Sequence, residues 1–410
     1  MEKSQKILLI SNIVLVGFVV AVIVHYTLGA YLKLPFPFNT FLFSPEIHFS
    51  DFIGIMPIAN GLYPFDAPNP WRCYFPLAYI LLFPFSLISN PLIAYFIFAS
   101  VFLVSIVYMN IKNFTCANLT KLQNFQNIFI ISILSYPILY ILDRGNIDMF
   151  LFILLAGFVY LFKSKKYLLS AVLLGIQNAI KPFPIFFLIL FLFKKKYKEF
   201  FLSILITGLL VIGGFMFLKG GFFEQITIFI KNLLIFKMNY VYNNSNSNAM
   251  SNTSSLFMAM KLLFCKYTTI FSTIQLEKVY SYLSLIITAI TLFFTQKEKT
   301  FWKQITLLTL LMWLLPYVID DYKLIFLFIP IWLFVSTQEK TKFDSAYAVL
   351  FGLLIIPKQF FVLFVHAHGM TQLMSFGIII NPILMLIFMG LIIYEQFSTS
   401  KNERLANGKI

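Results

Sequence analysis

Carboxylates are scarce in this chain. It has 16 Asp and Glu among 410 residues, and only 11% of its residues are charged, where a soluble domain carries about 25%. That scarcity excludes a soluble enzyme and a charged disordered chain. Cysteine is scarcer still: Cys73, Cys116 and Cys265 stand alone, without metal-ligand spacing. A secreted disulfide scaffold and a cysteine-built metal site are thereby excluded, and the three thiols read as small buried or interfacial residues. No Gly-rich nucleotide-binding loop is present, and no internal repeat, so the inverted-repeat signature of many secondary transporters is missing.

Apolar residues fill the space that charge leaves, at 60% of the chain, with 19% aromatic. Roughly 246 apolar residues, at about 20 per crossing, supply about twelve membrane-spanning helices. The chain therefore reads as an all-α polytopic integral membrane protein. Its net charge of +15 comes from 31 Lys and Arg, which sit in short clusters between apolar runs. In this setting they report topology, with no role for nucleic acid. The apolar stretch from Ile7 to about Ala30 is too long for a signal-peptide core and lacks a small-residue cleavage site, so it reads as a retained first helix.

Apolar spans are expected at 7 to 30, 91 to 111, 127 to 142, 147 to 163, 167 to 193, 200 to 218, 277 to 295, 302 to 315, 324 to 336, 343 to 362 and 374 to 394. The run from Tyr74 to Ser89 is short, carries Pro76 and Pro84, and is placed flat on the membrane, because spanning would put Lys163, Lys165 and Lys166 on the wrong side. The run from Tyr167 to Phe193 contains Lys181-Pro182-Phe183-Pro184. A Lys at the bilayer centre costs about 2.5 to 3.5 kcal/mol, so two short helices, 167 to 180 and 183 to 193, with Lys181 at the turn are the cheaper arrangement. Twelve crossings then place every basic cluster and both termini on the cytoplasmic side. The outer side receives a long first loop (31 to 90), a second (219 to 276), and short turns. The whole is expected as one membrane domain, with 1 to 200 as catalytic module and 200 to 410 as a variable helical module.

Under this topology Asp51, Asp66, Asp143, Arg144, Asp148, Lys181, Asp320, Asp321 and Lys323 share the outer face. Carboxylates beside cations at a bilayer edge suit a reaction between an anionic lipid-linked substrate and a polar acceptor. Asp51, in Phe49-Ser50-Asp51-Phe52, is either a general base or a solvated loop carboxylate. Asp143-Arg144-Gly145-Asn146-Ile147-Asp148 is either a functional turn or a helix-ending one, capped by Gly145 with Asp148 opening the next helix. Lys181 suits a phosphate or simply snorkels. Asp320-Asp321-Tyr322-Lys323 either positions a substrate or keeps a turn in water. The stretch from Phe222 to Lys237 reads as an interfacial amphipathic helix, and the tract from Asn239 to Ser255 as a loop over the site or a linker. His366 and His368 lack a third metal ligand.

The long first loop with Asp51 near its start, Gly61-Leu62-Tyr63-Pro64 followed by Tyr74-Phe75-Pro76-Leu77, Arg144-Gly145-Asn146-Ile147-Asp148, and Lys181-Pro182-Phe183-Pro184 together resemble glycosyltransferase family 87. That family has the GT-C fold and includes polyprenyl-phosphate-mannose-dependent α-mannosyltransferases. Residues 143 to 198 are also similar to the catalytic subunit of the GPI mannosyltransferase, with Asp148 in place of a Glu and Phe183 in place of a Tyr. The resemblance extends from about residue 45 to 336. It implies a GT-C helical bundle whose first outer loop carries juxtamembrane helices. Asp51 would be the catalytic base, Lys181 and Arg144 the ligands of the donor phosphate, and Asp148, Asn146, Tyr63, Asp320, Asp321 and Lys323 substrate-binding. The GPI enzyme has a D-x-D in its first loop where this chain has Asp51 alone. That departure argues against a divalent metal, and no cofactor is expected.

The expected function is hexose transfer, with mannose as the sugar, from a polyprenyl-phosphate donor to a glycan, glycolipid or protein acceptor, with inversion. The site would face the outside of a bacterial inner membrane, with the lipid bilayer as a partner. A polysaccharide polymerase or ligase, and a lipid-linked sugar flippase or other transporter, are the alternatives. A carrier would place its ionisable groups along a path near the midplane, whereas these cluster at one interface.

Overall fold

The computed structural model describes residues 1–242, 253–267, 270–365 and 371–406. Its first part runs α1 (Lys3–Tyr26), α2 (Ser50–Gly61), α3 (Pro76–Ser86), α4 (Pro91–Phe114), α5 (Lys121–Phe129), α6 (Tyr136–Arg144), α7 (Asp148–Lys163), α8 (Tyr167–Ile180), α9 (Ile189–Phe193), α10 (Tyr197–Phe217) and α11 (Phe222–Lys237). Helices Leu256–Lys261, Thr273–Lys297, Phe301–Leu314, Phe328–Ser336, Asp344–Ile355 and Gly377–Ala406 follow. Among the described residues the one sheet is an antiparallel hairpin, Phe361–Val365 with Thr371–Ser375, in register Phe361 to Ser375 and Val365 to Thr371. The span expected over 343 to 362 therefore stops at Ile355, and its last residues enter a strand.

Among the described residues five helices are long and apolar enough to cross a membrane: Lys3–Tyr31, Pro91–Phe114, Tyr197–Phe217, Thr273–Lys297 and Gly377–Ser398. Lys121–Leu134 with Tyr136–Arg144, bent by 43°, makes a sixth if the pair is one span. Length and composition thus support an all-helical polytopic membrane protein but give five or six full-length spans, where twelve crossings were expected. The other apolar helices, such as Tyr167–Ile180, Phe183–Phe193, Phe301–Leu314 and Asp344–Ile355, are 10 to 17 residues long. Fourteen residues reach about 21 Å against a hydrocarbon thickness of about 30 Å. Proline and charge set these breaks. Pro182 forces Lys181 out of the helical region, to φ −146° and ψ 128°, and ends α8.

The chain divides into two compact units built from discontinuous segments. One comprises Met1–Phe41, Tyr108–Leu139 and Met250–Ile410. Its core is Phe301–Leu314, buried at every residue from Trp302 to Leu314. There Glu395 accepts from Lys303 Nζ at 2.8 Å and from the Tyr347 hydroxyl. Ser272 caps the helix Thr273–Lys297 in a capping box with Gln275.

The other unit comprises Leu42–Val107 and Tyr140–Ala249. Gly175 lets α8 and α10 approach closely, because a Cβ there would lie 2.9 Å from the side chain of Ile206 and from the Ser203 carbonyl. The first long loop folds onto α11. Phe65 packs against Tyr79, Phe215 and Phe229 with ring centroids 5.5 to 5.7 Å apart. The buried Asn232 accepts from the Asn69 amide at 2.6 Å and donates to the Arg72 carbonyl at 2.9 Å, while Gln225 donates to the Phe65 carbonyl at 3.2 Å. Helix α11 has the bounds expected of the amphipathic stretch.

Candidate active site

Helix α6 ends where Gly145 adopts φ +71°, a left-handed conformation that favours glycine. The position is also crowded. A Cβ on Gly145 would lie 3.0 Å from Phe52 and 3.3 Å from Phe49, so the start of α2 rests directly on this turn. Asp143 fastens it: its side chain accepts from the Phe43 amide at 2.8 Å and meets His48 Nδ1 at 2.6 Å, while its carbonyl accepts from the Phe49 amide at 2.7 Å. Phe49 itself sits at φ +58° with its ring stacked 4.0 Å from Tyr95. A bulky residue holds that conformation only where its surroundings over-determine it. The consequence is a fixed position for Asp51 in the first turn of α2.

The Asp51 carboxylate is gripped at both oxygens. Arg144 Nη2 donates to Oδ1, and Asn146 Nδ2 donates to Oδ2 at 2.7 Å. The other end of that amide, Asn146 Oδ1, accepts from Lys181 Nζ at 3.1 Å and from the Asp148 backbone amide at 3.0 Å. Lys181 Nζ also pairs with Asp148 Oδ1 at 2.7 Å and lies 4.5 Å from the Tyr74 ring centroid. One asparagine thus joins a carboxylate with its guanidinium to an ammonium with its carboxylate. The Arg144 guanidinium stacks 3.8 Å over the Phe43 ring.

The two ion pairs differ in burial. Asp51 and Arg144 keep 17% and 15% of their side-chain surface exposed, while Asp148 is fully buried. Burial alone would lower the Lys181 pKa, but the Asp148 carboxylate beside it, together with Tyr74 and Asp51, more than offsets this and holds it above the ordinary lysine value. Burial pushes the Tyr74 hydroxyl up to about 12. Asp148 Oδ2 is buried without a hydrogen-bond partner, so the cluster retains an acceptor that a donor could satisfy. Removing one member of a buried pair such as Lys181–Asp148 costs about 3 to 5 kcal/mol.

Asp51, Arg144, Asn146, Asp148 and Lys181 are therefore brought into one hydrogen-bonded cluster. Tyr63 is not part of it, since its ring packs against Gly220 in the same unit. Asp320, Asp321 and Lys323 belong to the other unit. There Asp320 forms a bridge with Thr253, and Asp321 is fully buried, accepting from Asn381 Nδ2 at 3.0 Å and Gln359 Nε2 at 2.6 Å. His366, His368 and residues 243–252 of the Asn- and Ser-rich tract lie outside the described residues. Among the described residues no three His, Cys, Asp or Glu side chains gather as a metal would require. Sequence reasoning missed the tether formed by His48, Phe43 and Asp143. A lone loop histidine and a backbone amide carry no local pattern that would reveal it.

A ring of paired carboxylates and cations in a membrane-embedded helical chain defines a class broad enough to include carriers. Comparison with known families narrows it: the model of glycosyltransferase family 87 matches residues 73–316. The chain belongs to glycosyltransferase family 87 and is a glycosyltransferase. Tyr74, Arg144, Asn146, Asp148 and Lys181 fall within the matched span, Asp51 and Tyr63 before it, and Asp320, Asp321 and Lys323 after it. No curated protein and no solved structure matches the chain.

Proposed function

We propose that this glycosyltransferase has a GT-C type bundle and transfers a hexose, with mannose as the first candidate, from a polyprenyl-phosphate donor to a hydroxyl of a glycan, glycolipid or protein. The observation that carries the reading is the double grip on Asp51, one oxygen held by Arg144 and the other by Asn146. The donor's anionic phosphodiester, which becomes a lipid phosphate monoester as the sugar leaves, is the chemistry that competes with a carboxylate for a guanidinium. When the donor binds, Arg144 moves its hydrogen bonds from Asp51 to the phosphate, and Asp51 Oδ1 becomes free to accept a proton. The acceptor hydroxyl then gives its proton to Asp51, and its oxygen bonds to the anomeric carbon. The bond from that carbon to the phosphate oxygen breaks, and the lipid phosphate leaves with the electron pair, inverting the configuration.

Arg144 stabilises the charge growing on the leaving phosphate, an effect worth about 2.7 to 4 kcal/mol for a single well-placed donor. Lys181, held by Asp148, Asn146 and the Tyr74 ring, adds positive potential and fixes Asn146. Asp148 Oδ2, which has no hydrogen-bond partner, and Asn146 would bind substrate hydroxyls. The site faces the non-cytoplasmic side of a bacterial inner membrane, with both termini cytoplasmic; labelling of cysteines introduced at 51 and 144 from the cytoplasmic side would overturn this orientation.

The donor is tested by incubating purified protein with synthetic polyprenyl-phosphate-hexose or polyprenyl-diphosphate-hexose and a glycoside acceptor. Transfer from the monophosphate alone, with inverted linkage, is the expected result. Transfer from the diphosphate alone would overturn the donor assignment.

A further inference from the structure

Two short turns in the unit that holds the candidate site share one backbone design. After α7, the Lys165 amide donates to the Phe162 carbonyl at 3.0 Å and the Lys166 amide to the Leu161 carbonyl at 2.9 Å. After α9, the Lys195 amide donates to the Leu192 carbonyl at 3.0 Å and the Lys196 amide to the Phe191 carbonyl at 2.7 Å. Each is a Schellman turn, whose central residue takes a left-handed conformation and is usually glycine. Here both central residues are lysine, Lys165 at φ +60° and Lys195 at φ +57°. L side chains adopt that region at an energetic cost, and two lysines bearing it at equivalent positions point to a use for the side chain.

The turns are neighbours. Lys196 Nζ lies 4.9 Å from the centroid of the Tyr167 ring, the residue that follows the first turn. Lys163, Lys165, Lys166, Lys194, Lys195, Lys196 and Lys198 crowd this end with Glu199 as the one nearby carboxylate, and none of them forms an ion pair among the described residues. A recess of about 320 Å³ opens there, lined by Lys165, Lys166, Tyr167, Leu168, Leu169 and Glu199. Directly beside the lysines, Leu168, Leu169, Tyr197 and Phe201 are exposed. Cations above an apolar and aromatic rim match a phosphate headgroup above acyl chains.

We infer that the paired lysine turns bind the headgroup of an anionic phospholipid. A soluble anion would leave the apolar rim unused, whereas a lipid fills both halves. This reading is independent of the sugar-transfer chemistry, because none of these lysines belongs to the Asp51 cluster.

The test titrates short-chain phosphatidylglycerol into the full chain in neutral detergent and reads occupancy by native mass spectrometry, with phosphatidylcholine of equal chain length and inorganic phosphate as comparison probes. The parent should retain phosphatidylglycerol over phosphatidylcholine, and millimolar phosphate should not displace it. The double variant Lys165→Gly, Lys195→Gly should bind phosphatidylglycerol about 25-fold more weakly, at about fivefold per lysine. Its melting temperature in neutral detergent should equal or exceed the parent's, since glycine relieves the left-handed positions. Unchanged lipid occupancy in this variant would overturn the inference, as would displacement by inorganic phosphate or equal retention of phosphatidylcholine. If the glycine variant does not fold, Lys166→Gln with Lys194→Gln leaves the left-handed residues in place; a comparable loss supports the site and an unchanged occupancy refutes it.

Discussion

Each unit of this chain holds an aspartate by a side-chain amide in a cluster that includes a lysine, and the two settings treat the charge differently. Asp51 faces Arg144 directly and keeps some exposure. Asp321 is sealed, takes its hydrogen bonds from the neutral amides of Asn381 and Gln359, and has its nearby lysine turned elsewhere, since Lys358 Nζ donates to the carbonyls of Leu353, Leu354 and Ile356 at 2.8, 3.0 and 2.8 Å. Burial accordingly pushes the Asp321 carboxyl up to about 6. The lesson is that a cation in contact can be drawn away by an incoming anion, whereas a carboxylate served by amides inside a closed core has nothing to exchange. The first arrangement suits turnover, the second suits packing.

Substitutions sharpen this contrast. Asp51→Asn should reduce sugar transfer by about 10² to 10⁴, measured as initial rate with saturating donor, with little change in melting temperature. Parent-like activity would break the contrast at its active end. Arg144→Gln should lower kcat/KM for the donor by about 10² to 10³, and steady-state kinetics with varied donor would check it. Asn146→Ala removes the amide shared by Asp51 and Lys181 and should lower kcat about tenfold, with a stability loss of about 1 to 3 kcal/mol read by denaturant or thermal unfolding. The smallest effect belongs to the sealed cluster and depends on pH. The folded-state pKa of Asp321 lies above the ordinary 3.8, so between about 4 and about 6 the folded chain binds more protons than the unfolded one. Stability from this group is therefore present at low pH and lost as pH rises through about 6. Asp321→Asn should remove that slope, gaining at most about 3 kcal/mol on the parent above it, because a flip of Gln359, whose Oε1 has no partner, would serve the new amide. Melting curves from pH 4.5 to 8 that stay parallel for the two proteins would contradict the assignment.

Local chemistry made part of this legible. Pro182 after Lys181 marked the break between α8 and the helix Phe183–Phe193, and the Arg144-Gly145-Asn146 sequence marked a helix end. Long-range geometry stayed hidden. Asp51 and Arg144 are 93 positions apart, and no periodicity encodes that they meet. Asn146 looked like one turn residue among several, yet its two-ended amide makes it the centre of the cluster. The full-length spans among the described residues number five or six against the twelve crossings expected, for a related reason. Apolar content measures how much chain is buried, and in Phe301–Leu314 the burial is against protein all round, so an apolar run need not be a full-length span.

The central claim is that Arg144 exchanges Asp51 for the donor phosphate, and equilibrium binding of polyprenyl-phosphate-hexose to purified variants tests it most directly. Asp51→Asn should bind the donor several-fold more tightly than the parent, because the guanidinium no longer has to leave a carboxylate, and this gain should vanish when Arg144→Gln is added. Donor affinity unchanged or weakened in Asp51→Asn, or a gain that survives the loss of Arg144, would contradict the exchange.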